Sequence, residues 1–171
     1  VLRGTNLKGN PASALSSVYK LVWRQGASEQ LTDLPNEPTD LAYVPTTGHA
    51  IALSYASRDP KRVKALIESA HALLAGLDPS DEMAFAMAHG KLGGVHLNDQ
   101  NGLKYDLEKN FASANLRAAF NQVLVLDNHG YGNNGEFIGL DVKAIRTQRG
   151  YPVVKHLKNS REMFFHMLEK V

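Results

Sequence analysis

Short apolar segments alternate with helix-patterned amphipathic ones along this chain, and each strand-plus-helix unit takes about 35 residues. That alternation restricts the fold to the α/β class, a parallel sheet whose strands are joined by right-handed helical crossovers. Asn10-Pro11 opens a first expected helix, with Pro at its first turn and Gly26 beyond its end. Leu15, Val18 and Val22 form its apolar stripe, flanked by Ala14 and Leu21. A weak strand is expected around Ser28 to Leu34, broken by Pro35-Asn36-Glu37-Pro38. Thr46 or Thr47 caps a helix expected to run to about Ser57, and Val63 to Ser69 reads as a strand. Asp78-Pro79-Ser80-Asp81 starts a helix that ends at Gly90, and Leu92 to Asn98 is the next strand. A polar loop from Asp99 to about Asn110 leads to a helix from Ser113 to His129-Gly130. Glu136 to Val142 is the last strand, and the final helix covers roughly Lys155 to Glu169.

Four such units fit a doubly wound sheet and half of a (β/α)8 barrel equally well. The 171 residues make one domain, and they fall short of the roughly 200 that a closed barrel needs. Other classes are excluded by composition. The net charge of +2 is scattered and gives no nucleic-acid surface. With no cysteine there is neither a disulfide nor a thiolate metal site, so a bound metal must take carboxylates, imidazoles and water. No apolar run approaches the ~20 residues of a membrane span. The chain starts at Val1 without Met and without a leader pattern. That start suggests a processed chain or a fragment, and a cytoplasmic location is expected.

Parallel α/β folds place their sites at the C-terminal ends of the strands. The potential ligands collect there: Glu68 and His71 after the second strand, His96 and Asn98 after the third, Asp106 and Glu108 in the following loop, and Asp141 and Lys143 after the fourth. Hard divalent cations take carboxylates and admit imidazole. Singly, each residue has an ordinary alternative. Glu68 can be a surface carboxylate, and His71 and His96 can be satisfied core histidines. Asp106 and Glu108 can decorate a solvated loop, Asp141 can cap a helix, and Lys143 can be a solvated surface charge. The argument for a site lies in their convergence.

The order of these segments resembles the xylose isomerase superfamily. Pro35-Asn36-Glu37-Pro38 and Val44-Pro45-Thr46-Thr47-Gly48-His49-Ala50 look like the segment after its barrel strand five, and Glu68-Ser69-Ala70-His71 with Ala75-Gly76-Leu77 like its strand-six motif. Asn98, Gln100, Gly102 and Lys104-Tyr105-Asp106-Leu107-Glu108 resemble its metal-binding loop, Leu116-Arg117-Ala118-Ala119-Phe120 the next helix, and Phe137 to Asp141 with Lys143 its strand eight. Lys91-Leu92-Gly93-Gly94-Val95-His96-Leu97-Asn98 departs from this pattern: xylose isomerases carry Asp where His96 stands, and the related rhamnose isomerases carry His. A second departure is at strand five, where Thr32 and Leu34 occupy the positions of a Glu ligand and a carbonyl-polarising Lys.

The resemblance implies the C-terminal half of a TIM barrel, with parallel strands and outer helices, whose first four strands are missing. It implies a metal-dependent aldose–ketose isomerase of carbohydrate metabolism that works by hydride shift between adjacent carbons. Two divalent cations (Mn²⁺, Mg²⁺ or Co²⁺) are then held by Glu68, His71, His96, Asp106, Glu108 and Asp141, with catalytic roles at His71 and Lys143. A monosaccharide is the expected substrate. Without strands one to four the chain is expected to be inactive alone, and to pair through its sheet edges with the missing N-terminal half or with a second copy as a homo-oligomer. The alternatives are a non-catalytic half-barrel that binds metal or sugar, and a sugar epimerase or endonuclease-like phosphodiesterase of the same barrel type.

Overall fold

The computed structural model describes residues 21–23, 46–101, 106–143 and 150–171. Strand β1 is Leu21–Trp23, helix α1 Thr47–Ala56, β2 Val63–Glu68, α2 Ser69–Leu74 and α3 Pro79–Ala88. They are followed by β3 Leu92–Leu97, α4 Leu116–Asn128, β4 Phe137–Leu140 and α5 Tyr151–Leu168. The sheet order is β1-β2-β3-β4, and β2, β3 and β4 run parallel.

Local chemistry sets the helix ends. Thr46 caps α1, its hydroxyl accepting from His49 N, and Glu82 reaches across from α3 to accept from Thr47 N at 2.8 Å. Asp78 caps α3 by accepting from Ser80 N at 2.8 Å, with Pro79 in the first turn and Asp81 and Glu82 complementing the helix dipole. Asn115 caps α4 by accepting from Ala118 N at 3.0 Å, and Gly130, with φ of 61°, turns the chain after it.

The strands separate two kinds of face, because successive side chains alternate. Ala65, Ile67, Val95, Leu97, Ile138 and Leu140 join one core with Ala50 and Ile51 of α1, Met83 and Ala86 of α3, Ala119, Val123 and Leu126 of α4, and Met167 of α5. Each fully buried large side chain there, such as Met83, Leu97, Val123 or Leu126, stabilises the fold by roughly 1.5–3 kcal/mol relative to exposure. The opposite face carries two rows fixed by register: Leu66–Gly94–Phe137 and Glu68–His96–Gly139. The second row lies at the C-terminal ends of the strands, where the polar residues collect.

Three expectations need correction. Leu21–Trp23 is a strand, so the first helix does not reach Gly26; a Leu-Val-Trp triplet is also good strand sequence, and pairing with Val63, Lys64 and Ala65 decides the matter. That strand is antiparallel to β2, so the sheet is mixed at this edge, which is therefore covered. Strand β2 stops at Glu68, and Ser69 begins the short helix α2, which puts His71 on a helix rather than on the strand. The expected strand from Ser28 to Leu34, with Thr32 and Leu34, and the loop residues Gly102, Lys104 and Tyr105 lie outside the described residues. No helix among the described residues is long and apolar enough to cross a membrane.

Candidate metal centre

Glu68 ends β2 and lies in register with His96 of β3, so their side chains stand on the same face of the sheet. Helix α2 starts at the next residue, and the i, i+3 spacing brings His71 back over Glu68. Asp141 directly follows β4, beside His96. Asp106 comes in from the loop between β3 and α4. The result is an unbroken series of alternating acids and imidazoles. His71 Nε2 lies 3.3 Å from Asp106 Oδ2 and 3.5 Å from Glu68 Oε1, while His96 Nδ1 lies 3.4 Å from Glu68 Oε2 and 3.2 Å from Asp141 Oδ2. Glu68 thus gives one oxygen to each side, and Glu68–His71–Asp106 and Glu68–His96–Asp141 each gather their ligand atoms within 4.8 Å.

These separations suit shared cations. Two donors at roughly 2.1 Å from one small divalent ion stand about 3.0 to 3.4 Å apart in octahedral or tetrahedral geometry. Asp106 adds a second observation: its side chain is 7% exposed, and among the described residues its carboxylate has the His71 imidazole 3.3 Å away but no partner in good hydrogen-bonding geometry. A buried carboxylate that is paired but poorly hydrogen-bonded has capacity left for a cation.

For the acidic residues the ordinary alternatives do not hold, whereas His71 and His96 are each satisfied by carboxylate neighbours and Lys143 is partly solvated. Glu68 is 1% exposed, which excludes a surface carboxylate. Asp106 and Glu108 are largely buried rather than solvated. Asp141 does not cap α5, whose N-cap is Gly150. Glu108 joins neither triad: its Oε2 pairs with Lys143 Nζ at 2.9 Å, and its carbonyl accepts from Lys143 N at 2.8 Å. The Lys143 side chain is more than half exposed.

The electrostatics follow from burial and crowding. Burial pushes the Glu68 carboxyl above its ordinary 4.5, against the pull of His96 and His71. Burial, then the Asp106 and Asp141 charges, raise Glu108 to about 7 despite Lys143. Burial works against a charged His96, but its hydrogen bonds to Asp141 and Glu68 and their negative charges raise it to about 9. For Asp106 burial acts upward, yet His71 and Lys143 hold it below its ordinary 3.8.

Supporting groups complete the arrangement. Asn98 is buried; its Oδ1 accepts from Ala70 N at 2.7 Å, and its Nδ2 donates to Glu68 Oε1 at 3.0 Å and to the Asp141 carbonyl at 2.9 Å. It ties β2, α2 and β4 together at the site. Its place two residues after His96 sets both on one face of the strand, in line with its strand-end position in the sequence. Asp99 accepts from Gln100 N, Ala114 N and Asn115 N, and Gln100 Oε1 accepts from Leu107 N, which folds the Asp106 loop back onto the strand ends. Gly139 leaves room for the ring of His96: a Cβ there would lie 3.2 Å from His96 Cδ2 and 2.6 Å from Phe137 Cζ.

No protein-family profile matches the chain. Among curated proteins, it is 38% identical to the xylose isomerase of Streptomyces lividans over 114 residues, which is 67% of this chain and 28% of that protein. It is 37% identical over 114 residues to the xylose isomerase of Thermus thermophilus, covering 67% of this chain and 29% of that protein. The chain therefore spans less than a third of the length of these curated relatives. Sequence similarity at this level, together with a parallel α/β sheet bearing acid and imidazole groups at its strand ends, places the chain in the xylose isomerase-like superfamily.

Proposed function

We propose that the chain is the C-terminal half of a (β/α)8 barrel that carries the metal-binding part of an aldose–ketose isomerase. The supporting observation is the alternating series Asp106–His71–Glu68–His96–Asp141, whose spacings fit two divalent cations sharing Glu68. Glu68, His71 and Asp106 would hold one ion, and Glu68, His96 and Asp141 the other; Mn²⁺, Mg²⁺ and Co²⁺ are the candidates. Glu108 is a ligand of the first ion only if it gives up Lys143. When bound, such ions polarise a sugar carbonyl and acidify bound water or hydroxyl.

The chain's own residues supply position and charge. Glu68 is held by Asn98, so its two oxygens face different imidazoles. We assign the catalytic positions to His71 and Lys143: His71 keeps a buried imidazole against the shared carboxylate, and Lys143 offers an ammonium at the rim for a monosaccharide oxygen. Because the chain spans 28–29% of its relatives, we infer that turnover needs the rest of the barrel or a second copy of the chain. The same coverage favours a second reading, a metal- or sugar-binding half-barrel without catalysis.

Calorimetric titration of the chelator-treated chain with Mn²⁺ should show saturable binding that Glu68→Gln and Asp141→Asn weaken at least tenfold. An absence of divalent-ion binding at millimolar concentration sinks the proposal. Aldose–ketose interconversion, assayed with and without the remaining barrel segments supplied in trans, separates the isomerase from the binding module.

A further inference from the structure

We propose that His96 makes the Glu68–His96–Asp141 set selective for a borderline transition cation of the Co²⁺, Ni²⁺ or Zn²⁺ kind over Mg²⁺. This inference rests on the metal reading above and concerns which ion that site takes. The donor atom is identified by geometry. His96 Nδ1 faces both neighbouring carboxylates, 3.4 Å from Glu68 Oε2 and 3.2 Å from Asp141 Oδ2, so an ion between those oxygens also meets a ring nitrogen.

The ring is held in that orientation. His96 packs edge to face against Phe137 with centroids 5.9 Å apart, and its Cδ2 fills the space above Gly139. It is mostly buried, so turning Nδ1 away would displace Phe137 or expose the two carboxylates to each other. Mg²⁺ asks for oxygen donors in near-ideal octahedral geometry and keeps its waters, whereas imidazole suits Co²⁺, Ni²⁺ and Zn²⁺. A neutral nitrogen also removes one negative charge from the set, and that loss falls hardest on the ion whose binding is most purely electrostatic. Glu68 is shared with the His71 side, which leaves Asp141 as the one carboxylate belonging to this set alone.

The test compares Co²⁺ with Mg²⁺ on the full chain, by competition with a chromophoric chelator and by the ligand-field absorption of bound Co²⁺. Wild type, His96→Asp and His96→Asn are measured, with circular dichroism to confirm folding. All three readouts are independent of turnover. His96→Asp should narrow the ratio of Co²⁺ to Mg²⁺ affinity at least tenfold, by weakening Co²⁺ and strengthening Mg²⁺. His96→Asn should weaken Co²⁺ and change its absorption spectrum, without strengthening Mg²⁺. If His96→Asp does not fold, the His96→Asn spectrum decides alone: an unchanged Co²⁺ spectrum and affinity overturn the assignment. A Co²⁺/Mg²⁺ ratio that stays within threefold of wild type in His96→Asp also overturns it while leaving the metal reading intact. Failure of wild type to bind either ion removes both.

Discussion

Replacing Asn98 with Ala tests how the site is held together. The Asn98 side chain is 1% exposed and makes three hydrogen bonds, to Ala70 N at 2.7 Å, Glu68 Oε1 at 3.0 Å and the Asp141 carbonyl at 2.9 Å. Ala removes all of them and leaves a buried N–H at the start of α2. Each orphaned buried group costs about 1–3 kcal/mol, more when charged. The Asp141 carbonyl can recover water, because Asp141 is partly exposed, and it counts for little. Ala70 N and the Glu68 carboxylate then account for a loss of roughly 3–5 kcal/mol, near the upper end for single substitutions. Urea unfolding followed by circular dichroism in the presence of chelator measures it. Exposed Asn159→Ala is the reference, expected within about 0.5 kcal/mol of wild type. With Glu68 free to rotate, affinity for Mn²⁺ should also fall by roughly 10–100-fold, the usual effect of losing a group that orients a ligand. A loss of stability below about 1 kcal/mol would show that these hydrogen bonds do not hold the strand ends, and the argument for a preorganised site would fail with it.

Further outcomes follow from the same geometry. Gly139→Val puts atoms against the Phe137 ring and His96 Cδ2 and should cost about 1–3 kcal/mol, and adding Phe137→Ala should return part of it; a neutral Gly139→Val refutes the close approach. In chelator, stability should fall as pH rises from about 4.5 to about 9. The folded values of Glu68, Glu108 (about 7) and His96 (about 9) lie above their ordinary 4.5, 4.5 and 6.5, so the folded chain holds more protons. The His96 contribution, on the order of 3 kcal/mol, is complete below pH 6.5 and lost through about 9; an unfolding midpoint that rises from pH 6 to 9 contradicts this. Asp106 acts the other way, its contribution present above 3.8 and lost on further acidification. Mn²⁺ at about one hundred times its dissociation constant should stabilise the chain by roughly 2.7 kcal/mol, increasingly so at higher pH because the ligands bind deprotonated, and chelator should reverse the gain.

The parts legible in the sequence are those fixed by neighbours along the chain. Asp78-Pro79 and Thr46 announce helix starts because a side-chain cap and a preset φ act within a single turn, and both starts are where the residues put them. Leu21-Val22-Trp23 shows the limit: the residues satisfy a helical stripe and a strand alike, and only pairing with Val63–Ala65, far along the chain, selects the strand. Helix α2, from Ser69 to Leu74, is too short to leave a periodic signature, yet it decides the geometry of His71. At the site, strand-end placement identified Glu68, His96 and Asp141 as neighbours. The pairing of Glu108 with Lys143 was not legible, because competition between an ammonium and a cation for one carboxylate depends on distances that sequence order does not contain.

The location of the site within the chain bears on what the proposed half-barrel can retain. Both triads draw only on β2, α2, β3, the Asp106 loop and the residue after β4, and their ties through Asn98, Asp99 and Gln100 are internal to the same stretch. The antiparallel β1 already covers the β2 edge, while β4 pairs within the described sheet only through β3. The proposed cation binding therefore draws on described residues that support one another. In the proposed isomerase, enclosure of a substrate would depend on what lies beyond β4, because in the row Leu66–Gly94–Phe137 the first two residues are already buried and Phe137 is half-buried. Under that proposal metal affinity and turnover should separate: the first should survive in the isolated chain, and the second should appear only when further barrel segments are supplied beyond β4.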